Sequence, residues 1–143
     1  MCSSDLGTAT GAGTITNDDA SSGPTTATFQ ITSGGDDVNE DGTTFDASST
    51  SVWLGNGSST TASYTGLRFT GVTIPAGATV TAAHLEVNAA STQWQPLAFE
   101  FGIEGAASSA AFTVASRPSQ RTLLAPRVSH LSDAQWQIGR AHV

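Results

Sequence analysis

The sequence predicts an all-β protein, an antiparallel β-sandwich, from three observations. Lys is absent while Gly, Ser, Thr and Ala are abundant, and this composition favours strands joined by turns over helices. Residues 97–104 alternate between larger apolar side chains and Ala, Gly or Glu, which is the period of a strand with one buried and one solvated face. No window shows comparable helical periodicity; residues 123–137, apolar in places but interrupted by Pro126, are the least clear case.

Composition and charge exclude several classes of protein. The chain has 143 residues and a formal net charge of -7, which leaves no basic footprint for a nucleic-acid partner. No apolar run approaches the eighteen or so residues of a membrane span, and no export signal opens the chain. We therefore expect neither nucleic-acid binding nor membrane insertion. The length suits one modest domain, or one domain and part of another.

The two ends resemble translated sequencing adapter. Residues 1–6 (Met-Cys-Ser-Ser-Asp-Leu) and 138–143 (Ile-Gly-Arg-Ala-His-Val) match what common short-read adapter and most of its reverse complement encode. We interpret both as artefacts outside the natural protein. Cys2, which is the only cysteine, and His142 then drop out as functional candidates. The chain is expected to be a fragment of a longer protein.

Between these ends the pattern changes at two places. Residues 20–27 are small and polar with one Pro, as in a linker. Residues 33–50 are rich in Gly, Asp, Thr and Ser and are predicted to form a long loop. The predicted strands are residues 28–31, 51–54, 67–70, 80–87 and 97–104.

Residues 7–19 resemble the last strand of a Calx-beta domain. The likeness is carried by Gly-Thr-Ala-Thr and by the ending Gly-Thr-Ile-Thr-Asn-Asp-Asp, with Ala12-Gly13 as an insertion. In that family the terminal acids help to bind calcium, so the resemblance implies a ligand role for Asp18 and Asp19. The remaining ligands would lie upstream of this chain.

Residues 28–137 resemble a truncated jelly-roll-like β-sandwich module of secreted multidomain bacterial proteins. The likeness is carried by these stretches: 36–40, 52–55, 66–72, 74–80, 84–87, 101–105, Phe112 and 117–128. It implies a non-catalytic accessory module beside other β-domains, with an extracellular or cell-surface location. It also implies a module incomplete at the C-terminus, with a sheet edge left uncovered.

Residues 37–42, Asp-Val-Asn-Glu-Asp-Gly, fit the opening of an EF-hand-like calcium loop. The closing acid fails because the twelfth position is Ser48, although Asp46 lies two residues earlier, and Asp36 and Glu40 offer extra carboxylates. The simpler alternative is a solvated acidic loop. With calcium as the predicted cofactor, the metal-ligand candidates are Asp18, Asp19, Asp37, Asn39, Asp41 and Asp46.

Trp53, Trp94 and Trp136 are candidate glycan contacts, because an exposed indole offers a flat apolar face. Trp53 lies in an apolar segment and is predicted to belong to the core. Trp94 lies in a polar stretch between strands and is the predicted ligand-binding residue; its alternative is a tryptophan folded over a sheet edge.

No enzyme is predicted. Glu100 and Glu104 share one strand face, but four residues separate their backbones by about 13 Å, too far for the usual glycosidase pair. Arg68 is expected to pair with a nearby acid, and His84 and His130 to be ordinary surface histidines. Arg117, Arg121 and Arg127 are spaced too loosely for an anion site. Nucleophile, phosphate-loop and zinc-protease motifs are absent from the sequence.

Two functional hypotheses follow. The first is a structural or adhesive module, with or without stiffening by calcium, whose partners are neighbouring β-domains of the parent chain. The second is a carbohydrate-binding accessory module of a secreted enzyme. A weaker third is an enzyme whose active site lies in a missing part.

Overall fold

A computed structural model describes residues 23–55, 58–59, 62–94, 96–133 and 135–136. This part of the chain forms seven β-strands and one short 3-10 turn, and every paired strand is antiparallel. The predicted all-β antiparallel fold is therefore confirmed. Face-to-face packing of two sheets, the sandwich itself, stays a prediction.

The first sheet has three strands: β1 (Asp37–Asp41), β2 (Thr44–Asp46) and β3 (Ser63–Leu67). Strand β1 lies in the middle. A two-residue turn joins β1 to β2, and Gly42 in its first position has φ of 60°, which suits glycine and a primed hairpin turn. The prediction of one long loop over residues 33–50 is thus wrong for residues 37–46, because Asp41-Gly42 closes a hairpin.

A second unit, the hairpin arm, consists of four strands that form two antiparallel pairs, the first with the last and the second with the third. They are β4 (Gln93–Trp94), β5 (Leu97–Glu104), β6 (Leu123–Ser132) and β7 (Gln135–Trp136). Gln93 faces Trp136 and Leu97 faces Ser132, a step of four residues along each strand, so β4–β7 extends the ladder of β5–β6. The arm is on the order of 40 Å long.

The ladder of the arm is irregular near its end. Gly102 faces Arg127 and Glu104 faces Leu123, so Ile103 alone stands against residues 124–126. Pro126 fits here because a bulge needs no ladder hydrogen bond from it. The predicted alternation holds from Leu97 to Phe101 and is wrong beyond, because the bulge leaves Ile103 71% exposed and turns Glu104 inward.

Residues 105–122, here called the crossover segment, connect β5 to β6 and contact the three-stranded sheet. Gly66 of β3 is buried, and a Cβ on it would stand 2.6 Å from the Phe112 ring and 2.9 Å from the Pro118 ring. At the sheet's other end, the Arg117 guanidinium donates to the Thr43 carbonyl at 2.8 Å. The segment therefore covers one face of the sheet.

The other predicted strands fare differently. Residues 28–31, 51–54 and 80–87 form no ladder in the structure, and the strand expected at 67–70 lies at 63–67. An alternating pattern predicts an apolar face, but it does not identify a strand with which the segment can pair. In residues 80–87, Val80 is 61% exposed. Residues 123–137, left unassigned by the pattern, contain β6 and β7.

We predict that Gly66→Ala destabilises the fold by about 1–3 kcal/mol, because the added methyl group must push two rings off the sheet. Urea unfolding would measure the loss. The control is Gly35→Ala, since a Cβ at Gly35 meets nothing within 4 Å. Equal midpoints for the two variants would contradict the close contact between the crossover segment and β3.

Candidate functional site

Asp41 lies at the end of β1, and its carboxylate is hydrogen-bonded to the segment that precedes β3. It accepts hydrogen bonds from the backbone N–H of Ser58 at 2.7 Å and of Ser59 at 3.1 Å. The hydroxyls of Ser58 and Ser63 donate to it as well. These donors, the Ser58 hydroxyl foremost, lower the pKa of Asp41 to about 2.

Asn39 lies in the middle of β1 and is only 6% exposed. Its Oδ1 accepts from the Trp53 backbone N–H at 2.9 Å, and its Nδ2 donates to the Trp53 carbonyl at 3.0 Å. The same amide donates to the Thr65 hydroxyl at 3.0 Å. The side chain thus replaces a strand partner for residues 52–54, which explains how Trp53 is held half-buried without a ladder.

Asp46 closes a local turn after β2. Its Oδ1 accepts from the backbone N–H groups of Ser48 at 2.8 Å and Ser49 at 3.2 Å, and from the Ser48 hydroxyl. The Ser48 backbone hydrogen bond is the main cause that lowers the pKa of Asp46. This is an Asx-type turn, in which a short acidic side chain stands in for a backbone acceptor.

Of the predicted calcium ligands of residues 37–46, the structure places Asn39 opposite Asp46 across β1 and β2 but does not bring the whole set together around one point. Asp37, Asn39 and Asp41 are alternate residues of one strand, so the outer two lie about 13 Å apart. Residues 37–41 and 44–46 are strands of a hairpin rather than a loop wrapped around an ion, and the metal-ligand roles of these residues stay predictions. Within the described ranges, no cluster of three or more acidic, His or Cys residues could hold a metal ion. Asp18 and Asp19 lie outside the described residues, and calcium binding stays a prediction.

The two extra carboxylates offered to that loop have other partners. Glu40, 3% exposed, points to the opposite face of β1 and accepts from the Ser119 backbone N–H at 2.9 Å and hydroxyl at 2.7 Å. Asp36 forms a salt bridge with Arg68, which confirms the expectation that Arg68 pairs with a nearby acid. Both acids are structural partners of other segments.

Arg121, for which the sequence predicted no anion site, makes most of the side-chain contacts within the crossover segment. Its side chain is 8% exposed and Nη1 lies 3.1 Å from Oε1 of Glu104. Its Nη2 donates to three backbone carbonyls within hydrogen-bond distance, and its guanidinium carbon lies 4.9 Å from the centre of the Phe112 ring. The three carbonyls belong to Ala110, Ala111 and Ser116.

Glu104 completes this arrangement. It accepts from the Ser109 hydroxyl at 2.6 Å, and this bond, followed by Arg121, lowers the pKa of Glu104. Glu100, on the exposed face of β5, forms an ion pair with Arg127, with Nε to Oε1 at 3.5 Å. The bulge therefore places the two glutamates in different environments, Glu100 exposed and Glu104 turned inward. Sequence carried no signal for it, since the bulge depends on how β6 pairs.

The predicted glycan contact falls partly outside the described structure. The backbone of Trp94 lies in β4 opposite Gln135, whereas its side chain lies outside the part described. Its role stays a prediction. His130 is half-buried and its ring is tilted against that of Phe99, with ring centres 5.1 Å apart. It therefore packs on the same face of the arm as Phe99.

Comparison with known protein families, with curated proteins and with solved structures finds no match to this chain. The Calx-beta and jelly-roll resemblances therefore stay predictions. In the described ranges, no helix is long and apolar enough to cross a membrane.

We predict that stability falls in acid and that Asp41 carries part of the fall. A carboxyl whose pKa is lower in the folded state stabilises the fold above its unfolded pKa, near 4, and this contribution is lost as pH falls through the folded pKa, about 2 for Asp41. Urea unfolding between about pH 6 and pH 2 would show a flatter acid limb for Asp41→Asn than for the wild type.

Asp37→Asn is the matched control for this measurement, because it removes a carboxylate from the same strand without removing the serine contacts. The same acid slope in Asp41→Asn and in the wild type would contradict the assignment.

Proposed function

We propose that this chain is a non-catalytic structural or adhesive β-module of a large secreted or cell-surface protein. The observation that supports the proposal is that three acidic side chains are hydrogen-bonded within the protein itself. Glu40, Asp41 and Glu104 each accept two or more hydrogen bonds from the protein itself. A general acid or base needs a carboxyl that is free to meet a substrate. These acids hold segments together instead.

The hairpin arm supports neighbouring β-domains as partners. Leu131 is 80% exposed, Ile103 71% and Val128 65%. Leu131 pairs with Ala98 and Val128 with Phe101, so apolar side chains are exposed on both faces of the ribbon, which favours contact with other protein surfaces. In the described ranges β5 pairs only with β6. A two-stranded ribbon is marginally stable alone and gains stability when something packs on it.

Two finer points remain predictions within this proposal. Calcium stiffening would require an ion to compete with the serine donors around Asp41, or to use Asp18 and Asp19 with upstream residues. The alternative function, a carbohydrate-binding accessory module, rests on Trp94 and on fold analogy.

We predict that the arm makes the isolated chain bind a hydrophobic dye and self-associate. Val128→Thr and Leu131→Thr each introduce a more polar side chain that β-strands accept. Both should lower the dye fluorescence and the average mass measured by sedimentation velocity. Val114→Thr is the matched control, because Val114 is also 65% exposed but lies in the crossover segment.

Unchanged dye binding and mass in the arm variants would remove the arm as the partner surface. The non-catalytic part of the proposal has a separate test. Turnover of glycoside or ester substrates that disappears in Glu104→Gln, while the melting temperature is retained, would contradict it.

A further inference from the structure

Strand β5 of the hairpin arm has an outer edge that faces away from β6. Among the described residues β5 pairs only with β6, and no other described segment forms a backbone hydrogen bond with residues 97–103. Gly102 has no side chain and is exposed, so the backbone of the strand is accessible to solvent at that position. An unpaired strand edge offers its N–H and C=O groups to another extended segment.

The two edges of the arm are not equivalent. Strand β6 contains Pro126, which has no N–H to donate, and proline protects an edge from further pairing. Strand β5 contains no proline. Its side chains on one face, Leu97, Phe99 and Phe101, are all apolar, whereas the residues opposite them on β6 include a serine and a histidine. A strand added to the arm therefore gains more beside β5 than beside β6.

Charge and pattern favour a second copy of the chain as the added strand. Residues 93–136 contain three acids and three arginines and so have no net charge, whereas the other residues carry the whole net charge of -7. Two arms can therefore approach each other without the repulsion that keeps like-charged proteins apart. Antiparallel pairing of β5 with its own copy also brings the apolar side chains of both strands to one face.

We propose that the β5 strands of two copies pair antiparallel, with Phe99 of one copy opposite Phe99 of the other. The proposal rests on the arm being the partner surface, and it names the partner and the edge. In this register Leu97 faces Phe101 of the second copy and Ala98 faces Glu100, so like charges are not directly opposite. A four-stranded sheet with one apolar face results, which is more stable than a two-stranded ribbon. Because Pro126 protects the β6 edges, the assembly closes at two copies.

The register predicts opposite effects from two substitutions at one exposed position. Ala98→Lys places a cation opposite Glu100 of the second copy and should tighten the dimer. Ala98→Glu places two acids opposite each other and should weaken it. Each contact occurs twice in the dimer, so the dissociation constant should change about twofold to thirtyfold in each direction. Sedimentation equilibrium of the full chain measures this constant.

Ser129→Lys and Ser129→Glu are the matched controls. Ser129 is exposed and lies opposite Glu100 within the arm, on the same face as Ala98 but on the strand that is not expected to add a partner. The control substitutions change the net charge of the chain by the same amounts, and they should alter the dissociation constant by less than about twofold. Melting temperatures establish that each variant is folded.

Hydrogen exchange of the wild type is a second measurement that needs no variant. Raising the protein concentration through the dissociation constant should slow amide exchange in residues 97–103 and leave residues 127–132 unchanged. A chain that is still monomeric at about 1 mM, slower exchange in β6 alone, or open-ended oligomers would overturn the proposal. So would effects of the same sign in Ala98→Lys and Ala98→Glu.

The edge pairing and the proposed function fail separately. Self-association that falls in Val128→Thr and Leu131→Thr but not in Ala98→Glu would show that the faces of the arm make the contact. Edge pairing would then be wrong, and the arm would remain the partner surface.

Discussion

The contact between the crossover segment and the three-stranded sheet is the constraint on which the rest of the structure depends. In the described part of the chain, Val38 is the one large hydrophobic side chain that is fully buried, so apolar packing alone supplies little there. Glu40 holds Ser119 from the sheet side, while Arg121 and Glu104 fold the segment on itself. Charged hydrogen bonds of this kind are stronger than neutral ones and costly to leave unpaired.

The bulge in the hairpin arm links the two units. At the bulge, Ile103 lies opposite the three residues 124–126, and Glu104 turns toward Arg121. The arm contacts the crossover segment at this ion pair. Without the irregularity, Glu104 would share the outer face with Glu100. The same irregularity leaves Ile103 exposed, so one local event both anchors the arm and contributes to its apolar surface. The proposed structural role and the proposed partner surface thus both depend on this bulge.

The sequence predicts the all-β class and the strand at residues 97–104, because alternation over eight residues is strong local information. Asp41-Gly42 fits a calcium loop and a hairpin turn equally well in sequence, and only the pairing of β1 with β2 and β3 distinguishes the two. The roles of Asn39 and Arg121 cannot be predicted from the sequence for a related reason. Both act on segments distant in sequence, and no local pattern records which backbone groups lack a partner.

The comparison of Arg121→Ala with Arg127→Ala in urea unfolding tests the central claim most directly. The Arg121 side chain is 8% exposed and its Glu104 partner 22% exposed, whereas the Arg127 side chain is 31% exposed and its Glu100 partner 57% exposed. We expect Arg121→Ala to cost about 3 kcal/mol or more, and Arg127→Ala no more than about 1 kcal/mol. A similar small loss for both arginines would contradict the view that the crossover segment holds the fold together.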